Sequence, residues 1–130
     1  MNDSDRVVIK VPPTAAHLAA LRTAVGGVAA RDQFTLDQIG DLRLAVEEAA
    51  TQLLRRVPRG PIEMTVFPTS SGLEIRLTAQ VAVPREVIDE SPLSWVILRA
   101  LADDVRVESQ QSTTTVALSK RRLLIAQGSE

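Results

Sequence analysis

The chain has 130 residues, with 15 Lys and Arg against 16 Asp and Glu, and a formal charge of −1. That length fits one domain with its own core, and 45% apolar residues argue against disorder. The near-neutral balance gives no global attraction to nucleic acid or to an anionic membrane. The lack of cysteine excludes disulfides and zinc thiolate sites. A polar, acidic start and the lack of an apolar run of ~18 residues predict a soluble, cytoplasmic protein.

The first elements in chain order are a strand and a helix. The run RVVIKV over residues 6–11 predicts the strand, and Pro12 and Pro13 end it. Thr14 then opens a helix to about residue 30. His17 is expected to be an ordinary surface histidine, because no metal-ligand partners are spaced around it.

A long central helix is predicted from Thr35 to Val57, with Thr35 as N-cap and Gln38 completing a capping box. Its apolar positions recur at steps of three and four, which predicts a stripe pressed onto the core: Leu36, Ile39, Leu42, Val46, Ala49, Leu53 and Val57. Glu48 and Gln52 are four residues apart and project together on another side. Leu44 and Ala45 share that side, so the helix is expected to be covered on two sides.

The second half of the chain predicts two hairpins and a third helix. The basic turn with Arg55, Arg56 and Arg59 either binds an anion or complements the dipole at the helix C-terminus, and the second reading is favoured. A hairpin follows over residues 62–67 and 73–83, then a helix over 91–104 that is apolar nearly all round and is expected to be buried. The last hairpin covers residues 105–108 and 113–118.

This order of elements, β-α-α-β-β-α-β-β, predicts an α+β fold. Hairpins beside helices favour a two-layer sandwich, with a mostly antiparallel sheet and the helices on one face. The whole chain, 1–130, is expected to be a single domain, with a core of about residues 6–120 and a tail over 121–130.

Two strings resemble a known family. DLRLAVEEAATQLL, residues 41–54, resembles the signature helix of the GHKL ATPase fold in anti-sigma factors and serine kinases of the RsbW type. RALADDV, residues 99–105, is similar to the family's helix before its last hairpin. The resemblance covers roughly residues 6–120 and is of the actinobacterial type, given a composition rich in Ala, Arg and Val. It implies the GHKL (Bergerat) sandwich.

The resemblance also implies a nucleotide site whose motifs have degenerated. Glu48 falls where the family carries the base for phosphoryl transfer, and Gln52 where an Asn coordinates the magnesium of ATP. The places of an Asp-x-Gly-x-Gly and a Gly-x-Gly motif are taken by Ala79, Val81 and Val83, and by Pro92 and Ser94. Proline has no N–H to offer a phosphate. We therefore expect that the chain keeps the fold but binds no nucleotide, no other cofactor and no metal. Glu48 and Gln52 would then be vestigial.

By resemblance the chain is expected to be an anti-sigma factor. It would bind an alternative, stress-type sigma factor as a homodimer and be countered by an anti-anti-sigma (STAS) protein. Arg22 falls where such proteins carry an arginine that contacts both partners. Two alternatives stay open, namely a serine/threonine kinase using ATP and Mg²⁺, and a scaffold that binds only the STAS protein. A catalytic Ser-His-Asp set does not compete, because the single histidine has no triad partners in the pattern.

Overall fold

The computed structural model describes residues 5–82 and 92–123. The elements follow the predicted order, with a short 3₁₀ helix before the first α-helix. They are β1 (Val7–Val11), the 3₁₀ helix (Ala15–His17), α1 (Leu18–Arg31), α2 (Leu36–Leu54), β2 (Ile62–Pro68), β3 (Gly72–Gln80), α3 (Pro92–Leu101), β4 (Asp104–Gln110) and β5 (Thr113–Arg121).

The five strands form one antiparallel sheet in the order β1-β2-β3-β5-β4. β3 lies in the middle and pairs with β2 on one side and with β5 on the other. Gly72 begins β3 at a close approach, because a Cβ there would lie 2.0 Å from the carbonyl oxygen of Lys120. Only glycine allows the β2–β3 hairpin to meet β5 at this point.

The helices form a second layer on the sheet, which confirms the predicted α+β sandwich. Residues on β2 and β3 alternate between buried and half-buried, as expected when one face meets helices and the other faces water. α1 and α3 both pack on α2, so α2 is the middle helix. The core is aliphatic, and its largest fully buried apolar side chains are Leu21, Leu42, Leu53, Ile62, Met64, Leu73, Ile75, Leu77, Leu98 and Leu118.

The predicted apolar stripe of α2 is correct in its middle and wrong at both ends. The stripe from Leu42 to Leu53 is buried, but the side chain of Leu36 is 86% exposed and that of Val57 is 60% exposed. Leu36 is the first helical residue, and Val57 lies beyond the end of the helix. Val57 also has a left-handed backbone, with φ of 58°. The capping box of Thr35 and Gln38 is confirmed.

The prediction that the third helix is buried all round is wrong. Leu98 and Ser94 of α3 are buried, whereas Leu93 is 69% exposed and Val96 is 64% exposed. The physical reason is position, because α3 packs on α2 and β4 at the end of the helical layer and keeps a solvent side. Among the described residues no helix is both long enough and apolar enough to cross a bilayer.

Several boundaries differ from the predicted ones. α1 begins at Leu18 rather than at Thr14, α2 ends at Leu54 rather than at Val57, and α3 ends at Leu101 rather than at 104. β3 ends at Gln80 rather than at 83, and Val83 and Ser91 lie outside the described residues. β5 continues to Arg121, into the segment predicted as a tail. Arg122 then donates its backbone N–H to the carbonyl oxygen of Ser71 at 2.8 Å, which extends the docked chain beyond the strand.

Candidate functional site

The two candidate site residues on α2 face the same neighbour, as their spacing predicts. Gln52 is 1% exposed, and its Nε2 donates to Oε2 of Glu48 at 3.2 Å. Glu48 is half-buried and lies one helical turn earlier. This side of α2 faces α3, whereas Leu53 and Val46 on the other side belong to the core. The structure therefore brings Glu48 and Gln52 together at the junction of two helices.

Ser94 of α3 completes this junction. Its side-chain hydroxyl donates to Oε2 of Glu48 at 2.6 Å, and the residue is 2% exposed. That distance is typical of an O–H group bonded to an ionised carboxylate, which is among the stronger hydrogen bonds in proteins. One oxygen of Glu48 thus accepts two hydrogen bonds, from Ser94 and from Gln52. We call these three residues the clasp.

The sequence predicts Ser94 only as the replacement of a family glycine, and the hydrogen bond to Glu48 was missed. The two residues are 46 positions apart, and no local spacing rule connects them. A signal was present, since Ser94 is the one polar side chain in the run from Leu93 to Leu98. A lone buried hydroxyl needs a partner, and an acidic residue on the neighbouring helix is a suitable one.

The segment after β3 uses its backbone donors within the chain. The N–H of Val81 donates to the carbonyl oxygen of Ser112 at 2.8 Å, and the N–H of Ala82 lies 3.1 Å from the carbonyl oxygens of both Arg56 and Val57. Ala79 is 3% exposed and offers no polar atom on its side chain. A phosphate or adenine contact at this edge would therefore need donors that the chain already uses.

One atom of the candidate site is suited to bind a cation, whereas the other residues of the site are not. Oε1 of Gln52 is buried without a hydrogen-bond partner, and an amide oxygen is a known ligand of Mg²⁺. Yet Oε2 of Glu48 already accepts two hydrogen bonds, and Mg²⁺ demands octahedral oxygen geometry. Within residues 5–82 and 92–123 no three His, Cys, Asp or Glu side chains cluster as metal ligands. With Ala79 and Pro92 in the motif places, these residues do not fit Mg-ATP.

Arg22 lies on α1 beside the same region of α2. Its guanidinium is 3.4 Å from the carboxylate of Glu47, and the two side chains are 31% and 45% exposed. Glu47 precedes Glu48 in sequence, so Arg22 borders the site without entering the clasp. Its contact with a partner stays a prediction.

A groove lies between the outer sides of α2 and α3. It has a volume of about 460 Å³, and its walls are mainly apolar with two carboxylates on one side. Glu48 belongs to both the groove and the clasp, because the residue lines the first and its carboxylate accepts the hydrogen bonds of the second. The lining residues are Leu44, Glu47, Glu48, Thr51, Ile97, Ala100 and Leu101. Leu44, expected on a covered side, is 55% exposed here.

The three arginines of the basic turn do not share a surface. Arg56 is fully buried, whereas Arg55 and Arg59 are exposed. An anion at the surface would therefore not meet all three side chains. His17 is exposed, as predicted, and its Nδ1 lies 2.8 Å from the hydroxyl of Thr14.

Comparisons with known proteins agree with this architecture. The family model described as the histidine kinase-like ATPase domain matches residues 11–120. A Mycobacterium tuberculosis protein named anti-sigma-F factor RsbW is 34% identical over 101 residues, which is 77% of this chain and 60% of that protein. A Bacillus subtilis protein named serine-protein kinase RsbW is 29% identical over 140 residues, covering 92% of this chain and 87% of that protein. The chain thus spans less than two thirds of the mycobacterial relative.

Two solved structures share the fold. The RsbU and RsbW domains of a Mycobacterium tuberculosis protein superpose with a TM-score of 0.72 at 13% identity, covering 90% of this chain and 32% of that chain. The histidine kinase domain of a blue-light activated kinase from Erythrobacter litoralis gives a TM-score of 0.57 at 16% identity, covering 86% of this chain and 62% of that one. At these identities the structures show the fold alone. The family model, which covers most of the chain, establishes that the chain belongs to the histidine kinase-like ATPase domain family, the GHKL fold, with RsbW proteins among its relatives.

Proposed function

We propose that the chain is a cytoplasmic anti-sigma factor that works by binding and not by chemistry. It sequesters an alternative, stress-type sigma factor from RNA polymerase, and a STAS protein releases that factor by competing for the chain. The names of the relatives support this class, but they include both an anti-sigma factor and a serine-protein kinase. The choice between binding and phosphoryl transfer therefore rests on the site.

The observation that carries the choice is the hydrogen bond from Ser94 to Glu48. A catalytic base must reach the proton of the substrate hydroxyl within hydrogen-bond distance. Here Oε2 of Glu48 accepts from the chain's own hydroxyl at 2.6 Å and from Gln52 at 3.2 Å. A substrate serine that approached Oε2 would have to displace Ser94 from a buried position. This arrangement supports a structural carboxylate, not a base.

The adenine side of the site supports the same proposal. Ala79 stands where the family's Asp would bind the adenine amino group. Losing one hydrogen bond to a charged group costs roughly 1.5–3 kcal/mol, or about one to two decades of affinity. Fewer phosphate donors at Pro92 and Val81 add to that loss. We expect any residual affinity for Mg-ATP to be millimolar, and regulation to be independent of nucleotide.

Arg22 is the proposed partner-binding residue. Arginine is enriched among the residues that carry most of the energy of protein interfaces. The ion pair with Glu47 holds its guanidinium at the surface beside the groove, at 31% exposure of the side chain. The arginine is therefore oriented before a partner arrives, which lowers the entropic cost of binding.

A homodimer is part of the proposal and has its own support. β1 lies at the edge of the sheet, and its Val8 is 49% exposed. An open edge strand offers unpaired N–H and C=O groups to a second copy. One sigma molecule would then be shared between two copies. Analytical sedimentation should give a dimer at micromolar concentration. A single monomeric species at that concentration would contradict this part of the proposal.

A kinase is the second candidate, because one observation favours it. The buried Oε1 of Gln52 has no hydrogen-bond partner and could be a ligand of Mg²⁺. Under this alternative, Glu48 would release Ser94 when nucleotide binds and would act on a serine of the STAS protein.

The test combines partner capture with nucleotide binding. A pull-down from the native cell, read by mass, should recover a sigma factor, whereas recovery of a STAS protein alone would indicate a scaffold. Calorimetry with Mg-ATP and Mg-ADP should show no binding tighter than millimolar. A radiolabel transfer assay with the STAS protein should show no label. Tight ADP binding, or label that Glu48→Ala removes, would establish the kinase instead.

A further inference from the structure

α3 is attached to the rest of the molecule by apolar contacts and by a polar contact near its N-terminus. α3 packs on α2 and on β4, and its outer side exposes Leu93 and Val96. Of the side chains on its inner side, Leu98 is 1% exposed and belongs to the apolar core. Near its N-terminus Trp95 packs partly against the core, and Ser94 adds a polar contact by its hydrogen bond to Glu48. Among the described residues, this bond is the side-chain hydrogen bond that joins this end of α3 to α2.

That hydrogen bond is strong because of where it lies. Ser94 is 2% exposed and Gln52 is 1% exposed, so the two donors to Glu48 are shielded from water. A hydrogen bond to an ionised group gains strength in such surroundings. Removing one of these buried donors takes from the carboxylate a hydrogen bond to a charged group, the kind whose loss costs most.

We propose that Ser94, Glu48 and Gln52 act as an internal clasp that fixes α3 on α2 and so sets the shape of the partner-facing groove without nucleotide. By the resemblance, the hydroxyl of Ser94 stands at a glycine place of the phosphate-binding motif, and it binds the carboxylate that would otherwise accept the proton of the substrate hydroxyl. Ser94 is thus a positioning residue that acts through Glu48. The inference rests on the proposed function, in which partner binding needs no nucleotide.

The geometry of the groove links the clasp to partner binding. Glu48 is one of the residues that line the groove on the α2 side, while Ile97, Ala100 and Leu101 line it from α3. Ile97 lies one helical turn from Ser94. Any shift at the N-terminal end of α3 therefore changes the distance between the two walls.

The first test measures amide hydrogen exchange in Ser94→Ala without nucleotide. The amides of α3 over residues 96–101 should exchange about 10- to 100-fold faster than in the wild type, the range expected for loss of one bond to a charged group. The amides of β3 and β5 should not change. Ser109→Ala is the matched control, because it removes a neutral hydroxyl contact of 3.3 Å to Thr114 at an exposed position. Equal exchange of α3 in both variants would overturn the proposal.

The second test asks whether Ser94 acts through Glu48. In a double-mutant cycle of Ser94→Ala and Glu48→Gln, the combined effect on α3 exchange should be well below the product of the two single effects. Independent, multiplicative effects would mean that Ser94 is only a packing residue, and the clasp would be rejected. If Ser94→Ala does not fold, the same cycle is run with Gln52→Met and Glu48→Gln.

The two proposals fail in different ways. Tight Mg-ATP binding by the wild type contradicts the nucleotide-independent function, whatever the exchange of α3. Unchanged exchange of α3 in Ser94→Ala contradicts the clasp, even when calorimetry finds no nucleotide binding.

Discussion

Each end of α2 buries a glutamine, and the two side chains differ in their hydrogen bonds. At the N-terminal end, Gln38 is 6% exposed, and both ends of its amide are used. Its Oε1 accepts from the N–H of Thr35 at 3.2 Å, and its Nε2 donates to the carbonyl oxygen of Arg121 at 2.8 Å. Toward the C-terminal end, Gln52 is 1% exposed, and among the described residues its Nε2 has a hydrogen-bond partner whereas its Oε1 has none. The first glutamine fastens the helix to the sheet, whereas the second belongs to a site.

The two glutamines differ in whether every buried polar atom of the side chain has a hydrogen-bond partner. Folding tends to satisfy every buried donor and acceptor, and an exception calls for a reason. Gln38 needs no such reason, because its side chain bonds both to the N-cap residue Thr35 and to the backbone of β5 at Arg121. Oε1 of Gln52 is such an exception among the described residues, and it lies in the candidate site. The proposal that this site is the remnant of a metal site would explain it.

The largest expected effect on stability is at Gln38. Gln38→Leu removes the capping box and leaves the carbonyl oxygen of Arg121 without its donor, so the free energy of unfolding should fall by about 2–3 kcal/mol. Urea unfolding measures this value. Gln80→Leu, at an exposed strand end, is the control and should change stability by less than about 0.5 kcal/mol. A small loss at Gln38 would remove the distinction between the two glutamines.

The next largest effect concerns partner binding. Arg22→Ala should weaken the complex with the captured sigma factor or STAS protein by about 2 kcal/mol, or more than tenfold. Stability should change by less than about 1 kcal/mol, because the ion pair with Glu47 is partly exposed. Calorimetry of the complex and urea unfolding of the free chain separate the two. Arg31→Ala, exposed on the same helix, is the control. Unchanged affinity for both partners would remove the role of Arg22 but not the fold.

A gain in stability is expected just beyond the C-terminal end of α2. Val57 is β-branched and has φ of 58°, a conformation that costs such a residue roughly 1–2 kcal/mol and suits Gly or Asn. Val57→Asn should therefore raise the free energy of unfolding by about 1 kcal/mol, since the side chain is 60% exposed and few contacts are lost. Thermal and urea unfolding check this. A loss of stability would show that the valine side chain contributes more than its backbone strain costs.

The smallest effect is expected at Gln52. Gln52→Leu removes a donor to Glu48 but also removes a buried acceptor without a partner, and the two terms oppose each other. The free energy of unfolding should stay within about 1 kcal/mol of the wild type. A loss as large as that of Gln38→Leu would mean that Gln52 is as much a part of the scaffold as Gln38.

The sequence predicts well those features that depend on local spacing. The capping box of Thr35 and Gln38, and the shared side of Glu48 and Gln52, are separated by one helical turn and follow from helix geometry. The sheet and its hairpins also follow from alternating residues and turn residues. The predicted α+β sandwich is confirmed for this reason, whereas the family prediction came from the resemblance and is confirmed by the family model over residues 11–120.

Features that depend on distant neighbours could not be predicted. The bond between Ser94 and Glu48 and the exposure of Leu93 both depend on which helix lies at the end of the layer. Composition alone made α3 look buried, because periodicity does not say how many sides a helix has covered. The docking of Arg122 was missed in the same way, since its guanidinium reaches the ring of Phe34 across the fold.

The place of β5 in the sheet has a consequence for how the chain is synthesised. β5 is the last strand along the described chain, yet it lies between β3 and β4 and has partners on both sides. The ribosome synthesises the chain from its N-terminus. The strands β1 to β4 and the three described α-helices therefore emerge before β5. Until about residue 121 has emerged, the side of β3 that β5 will cover is unpaired. The nascent protein therefore has an open edge in the middle of its future sheet, and it depends on rapid completion or on a chaperone to avoid pairing with other chains.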